Sequence, residues 1–278
     1  MFMNCVSRIA AAILSGALAL PAAGEEKPLW EIGLGAGAVS FPEYRGSGRQ
    51  RGHVLPIPYF VYRGEILKAD RSGVRGVFFD NDWMELNLSL AASPPVDSDS
   101  KGLRRGMPDL KPTVEFGPSL QFNLWRGKAR ASRLDIRLPL RAAYTVRGGT
   151  EYAGIVFSPA VNYDAPFPWH SGWRLGMLAG PIFANARQHE YFYSVEPRHA
   201  LPDRPAYRAS GGYSGTQFIA SLSRRFERCW VGGFARYDTL AGAAFIDSPL
   251  VERKHSWAAG IAVTWMIGES SRTVSKGD

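Results

Sequence analysis

Two cysteines in 278 residues cannot support a disulfide framework. Cys5 falls within an N-terminal leader, so in the processed chain Cys229 is expected to stand alone, without an intramolecular partner. Long hydrophobic runs are equally scarce. The longest, Ile9–Leu20, is twelve residues, too short to span a bilayer, and no later run approaches the ~18 apolar residues of a transmembrane helix. Mean hydropathy is −0.16, far from that of a helical membrane protein. No helical period, coiled coil, low-complexity linker or second composition regime interrupts the chain, which reads as one domain. Catalytic patterns are missing too. The five histidines, His53, His170, His189, His199 and His255, fit neither H-E-x-x-H nor C-x-x-C metal spacing. No G-x-S-x-G elbow is present. Gly35-x-Gly37 is not a phosphate loop, because no helix follows it. The reading is therefore not an enzyme, with no cofactor and no metal; a Ser/His site at a barrel rim, built on His255 or His170, stands as a third alternative.

What the chain has in plenty is glycine (30), proline (19) and aromatic residues (12%), a composition suited to many short strands and turns. At its start, Arg8 precedes the apolar Ile9–Leu20 and the small residues Ala22-Ala23-Gly24. That is the layout of a secretory signal, so residues 1–24 are expected to be cleaved and the chain exported. The formal charge is +8, falling to +7 when Arg8 leaves. Such a surface can meet anionic lipopolysaccharide or murein; nothing points to nucleic acid.

The regular part of the sequence alternates at period two. In His255–Ile267, one face carries Trp257, Ala259, Ile261, Val263 and Trp265, and the other Ser256, Ala258, Gly260, Ala262 and Thr264. The two tryptophans are about 26 Å apart along a strand, or about 20 Å in height when tilted, comparable to the ~25 Å apolar band and aromatic girdles of an outer-membrane barrel. The competing reading is the edge of a soluble sandwich, whose wet face would carry Lys, Glu or Asp rather than Gly and Ala. The same alternation recurs at Trp30–Ser40, Val54–Tyr62, Trp83–Leu90, Thr113–Trp125, the segment around Leu134–Leu140, Tyr152–Tyr163, Trp173–Ala184, Gly215–Arg225 and Trp230–Asp238. Pro56 and Pro58 count against the second of these, since each removes a ladder donor. The glycine face of Trp30–Ser40 suits a strongly curved wall. Taking Glu65–Phe79 as one strand gives eleven; splitting it at Asp70–Gly73 gives twelve. Twelve places the long loops (41–52, 92–111, 185–211, 239–254) on one side. The short joins (63–64, 80–82, 126–130, 164–170, 226–229) and both termini fall on the other, as single-chain barrels require. The expected fold is an all-β, antiparallel transmembrane barrel of about twelve strands over residues 25–267, followed by a polar tail, 268–278.

Within that barrel Glu115, Arg133, Asp135, Arg137 and Arg141 face the lumen. Glu115 and Asp135 can meet across adjacent strands, more plausibly as ion pairs with the arginines than as an acid/base couple. The same charges suit either a selectivity wall or a cross-braced, closed interior. Tyr191–Tyr193 and Pro42–Ser47 form either a recognition patch or a plug folded into the mouth. Arg126, Lys128 and Arg130 in one short join, Asp164–His170 in another, and the tail are the candidate periplasmic contacts.

Several segments resemble the MltA-interacting protein/outer membrane protein V (MipA/OmpV) family. They are G-A-G-A-V-S-F-P-E-Y-R-G-S (Gly35–Ser47), L-P-I-P-Y-F-V-Y-R-G (Leu55–Gly64), V-E-F-G-P-S-L (Val114–Leu120), Y-F-Y-S-V (Tyr191–Val195), P-A-Y-R-A-S-G-G (Pro205–Gly212) and D-S-P-L-V (Asp247–Val251). None is specific alone; together they run in family order over nearly all of the processed chain. The resemblance implies an outer-membrane barrel that contacts outer-membrane lipid and lipopolysaccharide and is inserted by the barrel-assembly machinery. It further implies a scaffold between a lytic transglycosylase and a penicillin-binding protein. A small diffusion channel for polar or anionic solutes is the alternative. Members end on an aromatic residue that closes the last strand; here Trp265 holds that place, but Met266–Asp278 continue past it.

Overall fold

The computed structural model describes residues 27–63, 67–70, 73–81, 83–98, 102–127, 132–170 and 172–274. The leader, with Arg8 and Cys5, lies outside them, as do Lys128 and Arg130.

The segments are β1 (Trp30–Pro42), β2 (Gln50–Arg63), β3 (Leu67–Asp70), β4 (Gly73–Asp80), β5 (Met84–Ser93), β6 (Thr113–Arg126), β7 (Arg133–Thr145), β8 (Tyr152–Phe157), β9 (Ala160–Pro166), β10 (Trp173–Ala184), β11 (Gly212–Arg225), β12 (Cys229–Thr239) and β13 (His255–Glu269). Consecutive segments pair antiparallel through almost the whole series. β13 then returns to β1, from Ala259↔Ser40 to Glu269↔Glu31, and closes the ring. β8 and β9 both lie between β7 and β10, so they are two lengths of one stave. Thirteen segments thus fill twelve positions. The break at Ser158–Pro159, inside what the sequence reads as the single strand Tyr152–Tyr163, is accommodated by Gly180: a Cβ there would sit 2.0 Å from the Pro159 carbonyl oxygen.

Period-two alternation becomes two environments. On β13, Trp257 and Ile261 are 59% and 72% exposed to the outside, while Ser256 and Thr264 are buried inside. In a bilayer that outer face meets hydrocarbon, where an arginine near the midplane costs about 2–4 kcal/mol. Ring contacts mark both rims. Phe218, Tyr237 and Trp257 make a chain on one, with Phe116, Tyr144 and Tyr152 beside it. Trp83 with Phe122, and Phe167 with Trp169, mark the other. The glycine face of β1 is obligatory: a Cβ at Gly33 or Gly35 would fall 2.2 or 2.0 Å from the carbonyl oxygens of Trp265 and Val263 on β13.

Pro56 and Pro58 do not break β2. Its ladder with β1 runs unbroken through Ala36↔Pro56 and Leu34↔Pro58. On its other edge only Tyr62 and Arg63 pair, with β3, among the described residues. A strand with one free edge is where proline is tolerated. At the short-turn end, β13 continues past Ile267 to Glu269, and Thr273–Val274 pairs with Lys27–Pro28. The segment past Trp265 is thus bound along the start of the chain as far as Val274; residues 275–278 lie outside the described set. Cys229 is buried at the start of β12; the expectation about its partner turns on the leader, which lies outside the described residues.

Candidate functional site

The loops on the long-loop side do not splay. Tyr44, Val96, Leu110, Tyr193, Ala209, Leu240, Ala243 and Phe245 form one buried core across the mouth. Residues from four loops meet there. The segment 185–211, read from sequence as loop, holds α1 (Ala186–Tyr193), started by Asn185, whose side chain accepts from the Gln188 N–H. The N-x-x-Q spacing was the available signal for that start. The helix aims Tyr193 inward, where its ring stacks on Phe245 at 3.6 Å between centroids and 7°.

Hydrogen bonds then tie the loops together. The Tyr193 hydroxyl donates to the Arg45 carbonyl (2.9 Å), the Tyr44 hydroxyl to the Leu250 carbonyl (2.9 Å), and the Ser248 hydroxyl to the Tyr193 carbonyl (2.6 Å). Val195 bridges to Tyr207. Burial pushes the Tyr44 hydroxyl up to about 12 and shifts Tyr193 upward as well, so both stay neutral donors. Arg204, nearly inaccessible, donates to the carbonyls of Leu103 (2.6 Å), Arg105 (2.8 Å) and His199 (2.5 Å), pinning loop 94–112 to loop 194–211. Of the two sequence alternatives for Tyr191–Tyr193 and Pro42–Ser47, the geometry is the plug.

His189 is buried on the inner face of α1, edge-on to Phe245. Its Nδ1 lies 2.6 Å from the Ser210 carbonyl and its Nε2 2.5 Å from Ser214 Oγ. The carbonyl can only accept, so Nδ1 carries the proton and Nε2 accepts from Ser214. This Ser–His contact lies within the plug, where it ties α1 to the start of β11. His255 and His170 are instead exposed, at the start of β13 and just past β9. Burial, and secondarily Arg45, hold the His189 pKa below its usual 6.5. The folded plug therefore binds fewer protons than the unfolded chain below that value. Its stability is full above pH ~6.5 and falls as pH drops towards the lowered pKa. We expect limited proteolysis within 185–211 to accelerate at pH 5 relative to pH 7.5. His189→Gln should flatten that difference; an equal difference in both proteins would exclude His189 as its source.

Below the plug, the lumen charges are paired along the wall. Asp135, fully buried on β7, contacts Arg133 at 3.0 Å and Arg137 at 2.8 Å and accepts from Asn162 at 3.1 Å; Asp164 completes the group beside Arg133 at 3.4 Å. Glu115 pairs with Arg141 at 3.0 Å, and Arg141 also reaches Ser158 Oγ at 3.0 Å, at the stave break. Glu115 and Asp135 do not meet. Glu115 lies opposite Ala143, and Asp135 opposite Asn123, near the other end of β7. The two acids belong to separate ion-pair groups, because the β6–β7 register offsets the carboxylates by most of a strand. Two further groups were not read from sequence. Glu31 is held by Arg225 and the Tyr59 hydroxyl at the periplasmic end, and Asp238 is held by Arg236 (2.7 Å) and Arg45 (3.1 Å) near the plug. Glu31 was legible as the one charge on a glycine face; its partner, 194 residues away, was not. Arg126 is exposed at the short-turn end of β6. No group of His, Cys, Asp and Glu suited to a metal ion occurs among the described residues.

Residues 34–267 match the family described as MltA-interacting protein MipA. The chain is 26% identical over 212 residues to the outer membrane protein Omp26La of Vibrio anguillarum, covering 74% of this chain and 76% of that one. The same figures hold for the outer membrane protein OmpV of Vibrio cholerae serotype O1 (strain ATCC 39315 / El Tor Inaba N16961). Among solved structures, a bacterial polysaccharide outer membrane secretin aligns with a TM-score of 0.44 at 10% identity, covering 86% of this chain and 99% of that one. With the closed ring, its lipid-facing exterior and a match along most of its length, the chain is an outer-membrane β-barrel protein that belongs to the MltA-interacting protein (MipA) family.

Proposed function

We propose that this protein is a closed, non-enzymatic anchor in the outer membrane that holds a murein-degrading lytic transglycosylase and a murein-synthesising penicillin-binding protein at its periplasmic face. The observation that supports the reading is the plug: among the described residues, four loops pack into one buried core at the mouth. The lumen arginines and acids neutralise one another, whereas a selective pore uses rings of like side chains. The family description supplies the lytic transglycosylase; the second enzyme comes from the resemblance. Lipopolysaccharide around the barrel and the barrel-assembly machinery during insertion are the remaining partners in this reading.

The periplasmic surface is modest. It consists of the turns, Arg126 at the end of β6, and the ribbon formed by Lys27–Pro28 and Thr273–Val274. A stable interface buries about 800 Å² per partner, so several of these elements must act together. In-cell crosslinking followed by purification of the barrel should capture murein enzymes. Charge reversal of the turn, Arg126→Glu with Lys128→Glu and Arg130→Glu, should reduce that capture at least fivefold while insertion is preserved. Absence of murein enzymes from the wild-type capture overturns the scaffold.

A further inference from the structure

The inner wall of an outer-membrane barrel is ordinarily polar. Over one patch this wall is not. Between β11, β12, β13, β1 and β2 lies a cavity of about 310 Å³ whose large inward-facing side chains are Val39, Leu55, Ile57, Trp230 and Phe234, with Leu222 and Ile261 of the outward face also on its border. Register places them on the inward face in successive rungs: Trp230 opposite Thr264, Phe234 opposite Gly260, and Leu55 opposite Gly37. The space exists because the facing positions are Gly37, Gly232, Gly260 and Ala262, and its only hydroxyls are those of Ser221 and Ser223. No charged residue lines it. Charge brackets it instead, with Glu31, Arg225 and Tyr59 towards the periplasm and Asp238, Arg236 and Arg45 towards the plug.

We propose that this cavity is a binding site for a single uncharged alkyl chain. An apolar cavity holds water poorly, since water needs two to four polar partners, and it readily accepts an apolar guest. Its volume falls at the lower end of ligand pockets, about 300–1,000 Å³. No charged residue lines the cavity to pair with an ionised head, and burying such a charge unpaired is costly. The chain can be the acyl chain of a membrane lipid or that of a free neutral amphiphile.

Trp230 makes the site observable. The full-length barrel in lipid nanodiscs is titrated with 12-bromododecanol, whose bromine quenches tryptophan on contact. The site requires a saturable component of quenching that disappears in Trp230→Phe, over a linear background from lipid-facing residues such as Trp257. Ala262→Phe and Ser221→Phe fill the cavity from two different strands and should weaken the saturable component at least tenfold. Dodecanol should displace the probe, and dodecanoate should do so at least tenfold less well. Each variant is checked for heat-modifiable migration, so that one misfolded variant leaves the other to decide. A lipid-sized adduct on the intact protein by mass spectrometry identifies the bilayer as the source of the chain; binding without an adduct identifies a free amphiphile. Linear quenching alone, equal in the wild type and in both filled variants, overturns the site.

Discussion

Phe245→Ala should convert a silent barrel into one that conducts. Phe245 is fully buried, stacked on Tyr193 at 3.6 Å and meeting the His189 ring at 4.7 Å. Truncating a buried phenylalanine costs about 3–5 kcal/mol when the surroundings cannot collapse into the space. Here the cost falls on contacts between loops. Tyr193 is also the residue that binds the Arg45 carbonyl and receives the Ser248 hydroxyl, so the 43–49, 185–211 and 240–254 loops loosen together. The staves do not depend on this core, because their ladders close without it. The ion pairs beneath run mostly along the wall between neighbouring or nearby strands, so opening the mouth exposes a water-accessible lumen. In planar bilayers the wild type should give no stepwise current. Phe245→Ala should give discrete steps with little ion selectivity, while keeping the heat-modifiable migration of a folded barrel. A variant as silent and as protease-resistant as the wild type would show that the core does not seal the mouth.

That plug marks the boundary of what could be read from the chain. Alternation on β1, β5, β6, β7 and β13 is a local, two-residue property, and it carried the staves and the outward face. Parity and loop length then placed the split between Asp70 and Gly73. Proline was legible as an obstacle, but its solution at 56 and 58, a free strand edge, depends on how short β3 is. The contact of Tyr44 with Leu250 spans 206 residues and obeys no period. Resemblance singled out P-E-Y-R-G-S, Y-F-Y-S-V, P-A-Y-R-A-S-G-G and D-S-P-L-V as separate segments; only the folded chain reveals that they are the pieces of one core. The sequence reads the lumen acids as ion pairs with the arginines of the same face, but which acid meets which arginine follows from register, not from parity. The β6–β7 ladder shifts register between Asn123 and Trp125, which no pattern of alternation announces.

Asp135→Ala should be among the most destabilising single changes inside the lumen. Its carboxylate is inaccessible to solvent and faces two arginines at 3.0 and 2.8 Å and the Asn162 amide at 3.1 Å. Removing it leaves Arg133 and Arg137 with Asp164 alone, at 3.4 and 3.8 Å. Breaking a buried pair from one side costs about 3–5 kcal/mol, because the stranded charge keeps its desolvation penalty without its partner. Arg137→Ala removes one cation of two and leaves Asp135 with Arg133, so its cost should be clearly smaller. Asp135→Asn keeps acceptor and donor atoms in place but not the charge, and should fall between them. Guanidinium unfolding in lipid vesicles measures the three. The expected order, Asp135→Ala worst and Arg137→Ala mildest, depends on a buried carboxylate that two arginines share. If water reached it freely, the three losses would converge below about 1 kcal/mol, as they do for exposed pairs. That outcome would also weaken the closed lumen on which the anchoring role rests, since the charges would then face an open aqueous channel.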